Sequence, residues 1–133
     1  MTIVRLSKAL DLDVPAEAAW PLVADSSRMG RAMGMAPMTF RGEAQPSGRV
    51  RIRGSSPFMG RVAQWDEHPH EWVDGQRYSV LRVFDDGPMA RTFHAVTVTP
   101  LGPARSRAEF RWEGTFTSAA VAFLFRAVMA PRW

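Results

Sequence analysis

Between residues 38 and 117 one pattern repeats, and it restricts the fold more than any other feature of the chain. Short runs alternate apolar and polar side chains, and clusters of turn formers cut them apart. Alternation of period two marks a strand with one buried face. The runs are Met38–Gly42, Arg49–Gly54, Phe58–Asp66, Gln76–Asp85, Met89–Thr99 and Arg105–Thr117. Pro46-Ser47-Gly48, Asp74-Gly75, Asp85-Asp86-Gly87-Pro88 and Leu101-Gly102-Pro103 are the clearest breaks. Strands this close in sequence form an antiparallel meander of hairpins. One further run, Val4–Val14, comes first. Val4, Leu6, Leu10, Leu12 and Val14 share a parity, Arg5, Ser7, Asp11 and Asp13 take the other, and Lys8 breaks the apolar set.

The rest reads as helix. Pro15–Ala24 opens on a proline suited to a first turn, and Glu17 lies where the helix dipole favours an acid. Ala18, Ala19, Leu22 and Val23 give it an apolar face, and Pro21 is expected to shorten or kink it. Asp25-Ser26-Ser27 can cap a second short helix, Ser27–Met33, stopped by Gly34. Ser118–Met129 is the long helix, with Val121, Phe125 and Val128 on one face and Pro131 beyond it. An antiparallel sheet needs its apolar face covered, and the terminal helix is the long element available. The expected fold class is therefore α+β: a curved antiparallel sheet around a C-terminal helix, with two short helices after the first strand. At 133 residues this is a single domain, 1–133.

Composition narrows the function. Cysteine is absent, which removes disulfides, thiolate metal sites and a cysteine nucleophile, and fits a reducing compartment. The segment MTIVRLSKALDLD carries charges where a signal peptide needs an apolar core. The weakly polar run Ala119–Phe125 is too short to span a bilayer, so no stable membrane insertion is expected. The expected location is the cytoplasm. Seventeen Lys+Arg against thirteen Asp+Glu leave a formal charge of +4, a weak signal for nucleic acid. Arg49, Arg51 and Arg53, with Arg61 nearby, lack interleaved aromatic residues, so they read as a solvated outer face. Five Trp, eight Phe and eight Met beside one Tyr either fill a solid core or line a hollow one.

The stretch Val14-Pro15-Ala16-Glu17-Ala18-Ala19-Trp20-Pro21-Leu22-Val23-Ala24-Asp25 resembles the opening of the START-like, Bet v 1-like superfamily, which includes polyketide cyclase/dehydrase-like and lipid-transfer members. The resemblance implies a helix-grip fold, a sheet of about six or seven strands on a helix. Asp25-Ser26-Ser27-Arg28, Trp65-Asp66-Glu67-His68-Pro69-His70-Glu71-Trp72, and Val80-Leu81-Arg82-Val83-Phe84 with Gly87-Pro88 are similar to a bacterial subgroup, some members of which carry this module N-terminal to class III adenylate/guanylate cyclases. Two features depart from it: His70 stands where an aromatic residue is usual, and the chain stops at Trp133, which shortens the C-terminal helix. Met29, Met33, Met35 and Met38 fall where the resemblance implies an adaptable flap at a cavity mouth.

Strand parity selects the candidate site. Ala108, Phe110, Trp112 and Phe116 share the inner face of one strand; Val96 and Val98 bring Thr92 and His94 inward; Tyr78, Val80 and Phe84 bring Arg82; Ala63 and Trp65 bring Glu67. Lys8, Glu67, Arg82 and His94 are thus polar groups on apolar parity. A buried charge must be paired, so Glu67 is expected to pair with Arg82 across neighbouring strands. Lys8 is expected to reach the rim. His68 and His70 could share a face toward a metal, but Pro69 reads as a turn and no third ligand is evident, so no metal is expected.

These features lead to binding of a hydrophobic or amphipathic small molecule in an internal cavity, as a sensory or regulatory module, with Trp20, Trp65, Tyr78, Arg82, His94 and Trp112 as ligand-binding residues. Two alternatives stand beside it. One is a polyketide cyclase/dehydratase-like enzyme using His94 and Glu67; the other is a protein-interaction module. No cofactor is expected. Among macromolecular partners, a homodimer and, for a trimmed domain, a cyclase domain remain open; nucleic acid is not expected.

Overall fold

The computed structural model describes residues 1–25, 37–58 and 60–129, with Phe58 in its backbone only. The second short helix at 27–33, with Met29, Met33 and Met35, lies outside these residues. Seven strands form the sheet: β1 (Thr2–Leu12), β2 (Thr39–Ala44), β3 (Val50–Phe58), β4 (Arg61–Val73), β5 (Arg77–Phe84), β6 (Met89–Gly102) and β7 (Arg105–Phe116). Their order is β1-β7-β6-β5-β4-β3-β2, and every neighbouring pair is antiparallel. Hairpins join consecutive strands from β2 to β7, while β1 returns to pair with the last strand. With α1 (Ala16–Val23) and α2 (Ala119–Met129) on the concave face, this is the helix-grip arrangement. No described helix is long and apolar enough to cross a membrane.

Two boundaries differ from the sequence reading, and each has a physical cause. Phe58 ends β3 rather than starting the next strand, because the hairpin turns before Arg61, where Gly60 takes a left-handed backbone (φ 76°). The segment around Pro69 is strand, not turn. The β3–β4 ladder ends at Ile52↔Glu67, so Pro69 lies where β4 has lost its β3 neighbour and needs no hydrogen bond there. A bulge between Pro69 and Glu71 adjusts the pairing with β5.

Helix α1 runs on through Pro21 and ends at Val23. Pro15 caps it by accepting the Ala18 and Ala19 N–H groups at 3.0 Å each. Its buried face is Ala19, Trp20 and Val23; Ala18 and Leu22, expected inside, are exposed. The bulk of Trp20 decides the rotation, since an indole buries far more apolar area than an alanine or leucine on the other flank.

The concave face carries two apolar clusters. Under α1 lie Ala19, Trp20, Val23, Tyr78, Val96, Val98 and Ala108. Under α2 lie Val4, Met89, Phe116 and Ala122, bordered by Leu6, Phe84, Trp112, Val121 and Phe125. The outer face holds one unexpected feature. Arg53, read from sequence as solvated, has a side chain only 7% exposed. It donates to Asp66 on β4 (3.1 Å) and to Asp85 after β5, while Arg51 donates to Asp66 at 2.5 and 2.9 Å. Hydrogen bonds from Arg51 and Arg53 hold the Asp66 carboxyl at about 2.

Two tryptophans lie flat on glycines. A Cβ at Gly54 would come within 2.2 Å of the Trp65 ring, and one at Gly114 within 2.3 Å of the Trp112 ring. Gly54→Ala must therefore displace the Trp65 indole. The expected cost is about 1–3 kcal/mol, seen as a lowered Tm together with an altered near-ultraviolet tryptophan signal. An unchanged Tm and spectrum would show that the ring does not depend on Gly54.

Candidate functional site

The cross-strand register builds the site row by row. Ile52, Glu67, Arg82, Thr92 and Gly114 are successive partners across β3, β4, β5, β6 and β7. On one side of this row stand Gly54, Trp65 and Phe84; on the other, Pro69, Val80, His94 and Trp112. The three rows lie between the residues buried under α1 and those buried under α2. Side chains two apart on a strand share a face, so Trp65 with Glu67 and Arg82 with Val80 project together.

Glu67 and Arg82 form an ion pair inside this face. Arg82 Nε donates to Glu67 Oε1 at 2.6 Å and Nη2 reaches Oε2 at 3.5 Å, with the two side chains 12% and 10% exposed. The guanidinium also lies over the Trp65 ring at 5.4 Å and the Phe40 ring at 5.9 Å. The pair is thus answered in its plane by a carboxylate and on its faces by π-systems. Removing one partner strands the other charge, at a cost of about 3–5 kcal/mol.

Two polar atoms beside the pair have no partner among the described residues. Trp65 Nε1 and His94 Nε2 are both buried and make no hydrogen bond there. The His94 ring stands edge-on to Tyr78, with centroids 5.7 Å apart. Burial, with a further contribution from the nearby Arg82 cation, pushes the His94 pKa down to about 3. The imidazole is therefore neutral at physiological pH.

The remaining candidates divide. Trp20 and Tyr78 meet at 6.1 Å and share a third ring, Trp72, at 5.4 and 5.5 Å. Burial raises the Tyr78 hydroxyl to about 12, with Arg82 opposing and the Asp25 and Glu67 carboxylates adding to the rise. Trp112 stacks on Phe125 of α2 at 5.0 Å, which ties it to helix packing. Lys8 is exposed on β1, opposite Phe110. His70 instead serves the outer face, with Nδ1 3.2 Å from Ser79 Oγ and its ring edge-on to Phe93. Among the described residues no three His, Cys, Asp or Glu side chains gather as metal ligands.

Sequence reasoning left out Phe40 and Trp72 as site residues. The register signal for Trp72 was available: the Asp74-Gly75 turn pairs Val73 with Arg77 and hence Trp72 with Tyr78. Phe40 carried no such signal, because its place over Arg82 depends on how β2 pairs with β3.

A seven-stranded antiparallel sheet closed on a terminal helix defines the START-like, Bet v 1-like class. Residues 3–133 match the family model described as polyketide cyclase / dehydrase and lipid transport, and the chain belongs to that family. Solved structures of this fold include the Zhui aromatase/cyclase from Streptomyces sp. R1128, at 12% identity and TM-score 0.63, covering 89% of this chain and 71% of that one. A START superfamily protein from Mycobacterium smegmatis is 12% identical, TM-score 0.59, covering 96% and 92% of the two chains. Truncated norcoclaurine synthase from Thalictrum flavum is 12% identical, TM-score 0.57, covering 98% and 91%. No curated protein sequence matches significantly.

The His94 environment makes a pH prediction. Its folded pKa is depressed below the ordinary 6.5, so at lower pH the unfolded chain takes up a proton that the folded chain refuses. The stability contribution is complete above pH 6.5 and is lost as pH falls from there toward about 3. The expected slope is about 1.4 kcal/mol per pH unit across that window. Urea unfolding of the wild type and His94→Leu measures it; equal slopes in the two proteins would place the titrating group elsewhere.

Proposed function

We propose that this chain binds an apolar or amphipathic small molecule against the concave face, in the region between α1 and α2, and serves as a sensory or regulatory module. One observation carries the reading: among the described residues, Trp65 Nε1 and His94 Nε2 are buried beside aromatic and aliphatic side chains with nothing to bond. Each such group costs about 1–3 kcal/mol while unmet. A ligand that is mostly apolar, with a few polar atoms, answers both the lining and the orphaned groups. Trp20, Tyr78, Arg82 and Trp112 complete the proposed lining.

A cyclase/dehydratase-type activity is the second reading, favoured by the family description and by the likeness to an aromatase/cyclase. Its weakness is chemical. Glu67 is engaged by Arg82, and His94 holds a proton too weakly to act as a base near neutrality. The third reading, an interaction module, draws on Phe123, Leu124 and Val128, which α2 leaves exposed.

Native mass spectrometry of the purified protein, alone and with uncharged anilinonaphthalene, tests the leading reading. The expected result is a one-to-one adduct with an apolar molecule, weakened about tenfold by His94→Leu through loss of one hydrogen bond. Absence of any adduct, with no fluorescence gain from the probe, would overturn it.

A further inference from the structure

Arg82 invites the assumption that it receives a ligand carboxylate. The geometry points to the opposite selection: we infer that the Glu67–Arg82 pair makes the concave site choose uncharged ligands and reject their anionic analogues. This rests on the binding reading above and adds the charge class of the ligand.

The argument begins with the state of Arg82. Its Nε and Nη2 are directed at the two Glu67 oxygens, at 2.6 and 3.5 Å. The Trp65 and Phe40 rings lie against its guanidinium. The pair sums to zero charge and is almost wholly withdrawn from water. A carboxylate brought to this face would approach a cation already paired and a like charge on Glu67. It would also surrender its own hydration, which costs several kcal/mol unless a new counterion is supplied.

Among the described residues no other group on this part of the face supplies one. Thr92 is the β6 partner of Arg82 in the register, and Trp65, Phe84, Val80 and Trp112 stand in the adjacent rows. His94 is held neutral by its burial and by Arg82 itself. Lys8 lies on β1, with β7 and β6 between it and β5, and is exposed. Asp25, close enough to influence Tyr78, carries the same sign as a carboxylate ligand.

The orphaned atoms say what is accepted instead. Trp65 Nε1 is a donor only, so it asks for a ligand oxygen or nitrogen lone pair. A neutral imidazole offers one donor and one acceptor nitrogen, so His94 Nε2 can take either partner according to its tautomer. These two atoms stand in rows on opposite sides of the Glu67–Arg82 row. A ketone, ester, phenol or alcohol on an apolar frame meets both without bringing a charge.

The test compares anilinonaphthalene with its sulfonate, and dodecanol with dodecanoate, by fluorescence and competition. In the wild type the uncharged member of each pair is expected to bind at least about tenfold more tightly. Glu67→Gln leaves Arg82 without its counterion, so the anionic member should gain about tenfold or more and the preference should close or invert. Near-ultraviolet circular dichroism checks the fold. If that variant does not fold, Glu67→Gln/Arg82→Gln keeps the row neutral and should keep the wild-type preference. Equal or tighter binding of the anions by the wild type overturns the charge selection while leaving the binding reading intact. Failure of every probe to bind overturns the binding reading, and the selection falls with it.

Discussion

A guanidinium drawn into a sheet interior has to be neutralised, and much of the concave face is arranged around that requirement. Glu67 and Arg82 are direct register partners on β4 and β5, so their pairing depends on this alignment of the two strands. A slip of β4 by one residue would send Glu67 to the outer face and leave Arg82 inside without its counterion. The same alignment carries Trp65 beside Glu67 and brings Phe40, from the edge strand, over the guanidinium. A buried pair of this kind adds little net stability over an apolar replacement. Its contribution here is to specificity, since the alternatives to this register are far more costly than the register itself.

The outer face repeats the device with the signs distributed differently. Arg53 reaches two carboxylates, Asp66 on β4 and Asp85 beyond β5, and Arg51 joins at Asp66. Hydrogen bonding by these arginines lowers both carboxyl pKa values. Residues 65, 66 and 67 thus send an indole inward, a carboxylate outward and a second carboxylate inward; Trp65 and Glu67 both meet Arg82, and Asp66 meets Arg51 and Arg53. The strand is fixed from both faces where it is about to lose β3 as a neighbour. Beyond that point Pro69 and the bulge loosen the ladder, and Trp72 emerges into solvent against Trp20 and Tyr78.

Strand parity made the inward row of Trp65, Glu67, Arg82, His94 and Trp112 legible, because period two follows from backbone geometry alone. It also located the element order, since the turn formers are local signals. What it missed depends on contacts between distant segments. Pro69 looked like a turn because a proline cannot donate within a ladder, and only the register shows that β3 has already ended. Arg53 looked solvated because it alternates with Arg49 and Arg51, yet Asp85 is brought to it from thirty-two positions away. Gly54 gave no sign of its role, which is set by the indole opposite it. The burial of Trp20 in place of Leu22 followed from the apolar ground α1 lands on, which its own periodicity does not record.

The protonation states of the interior connect these packing facts to chemistry. His94 titrates near 3 and Tyr78 near 12, both because burial penalises their charged forms first. Around neutrality neither changes charge, and the Glu67 carboxylate is tied to Arg82. Acid–base catalysis works best with a group whose pKa lies near the working pH. Among the described residues, His94 and Tyr78 are held away from that range, while Trp65 Nε1 and His94 Nε2 make no hydrogen bond. The wide gap between these two pKa values means that neither His94 nor Tyr78 changes charge across the physiological range, so the electrostatics they contribute to the concave face do not vary with small changes of pH.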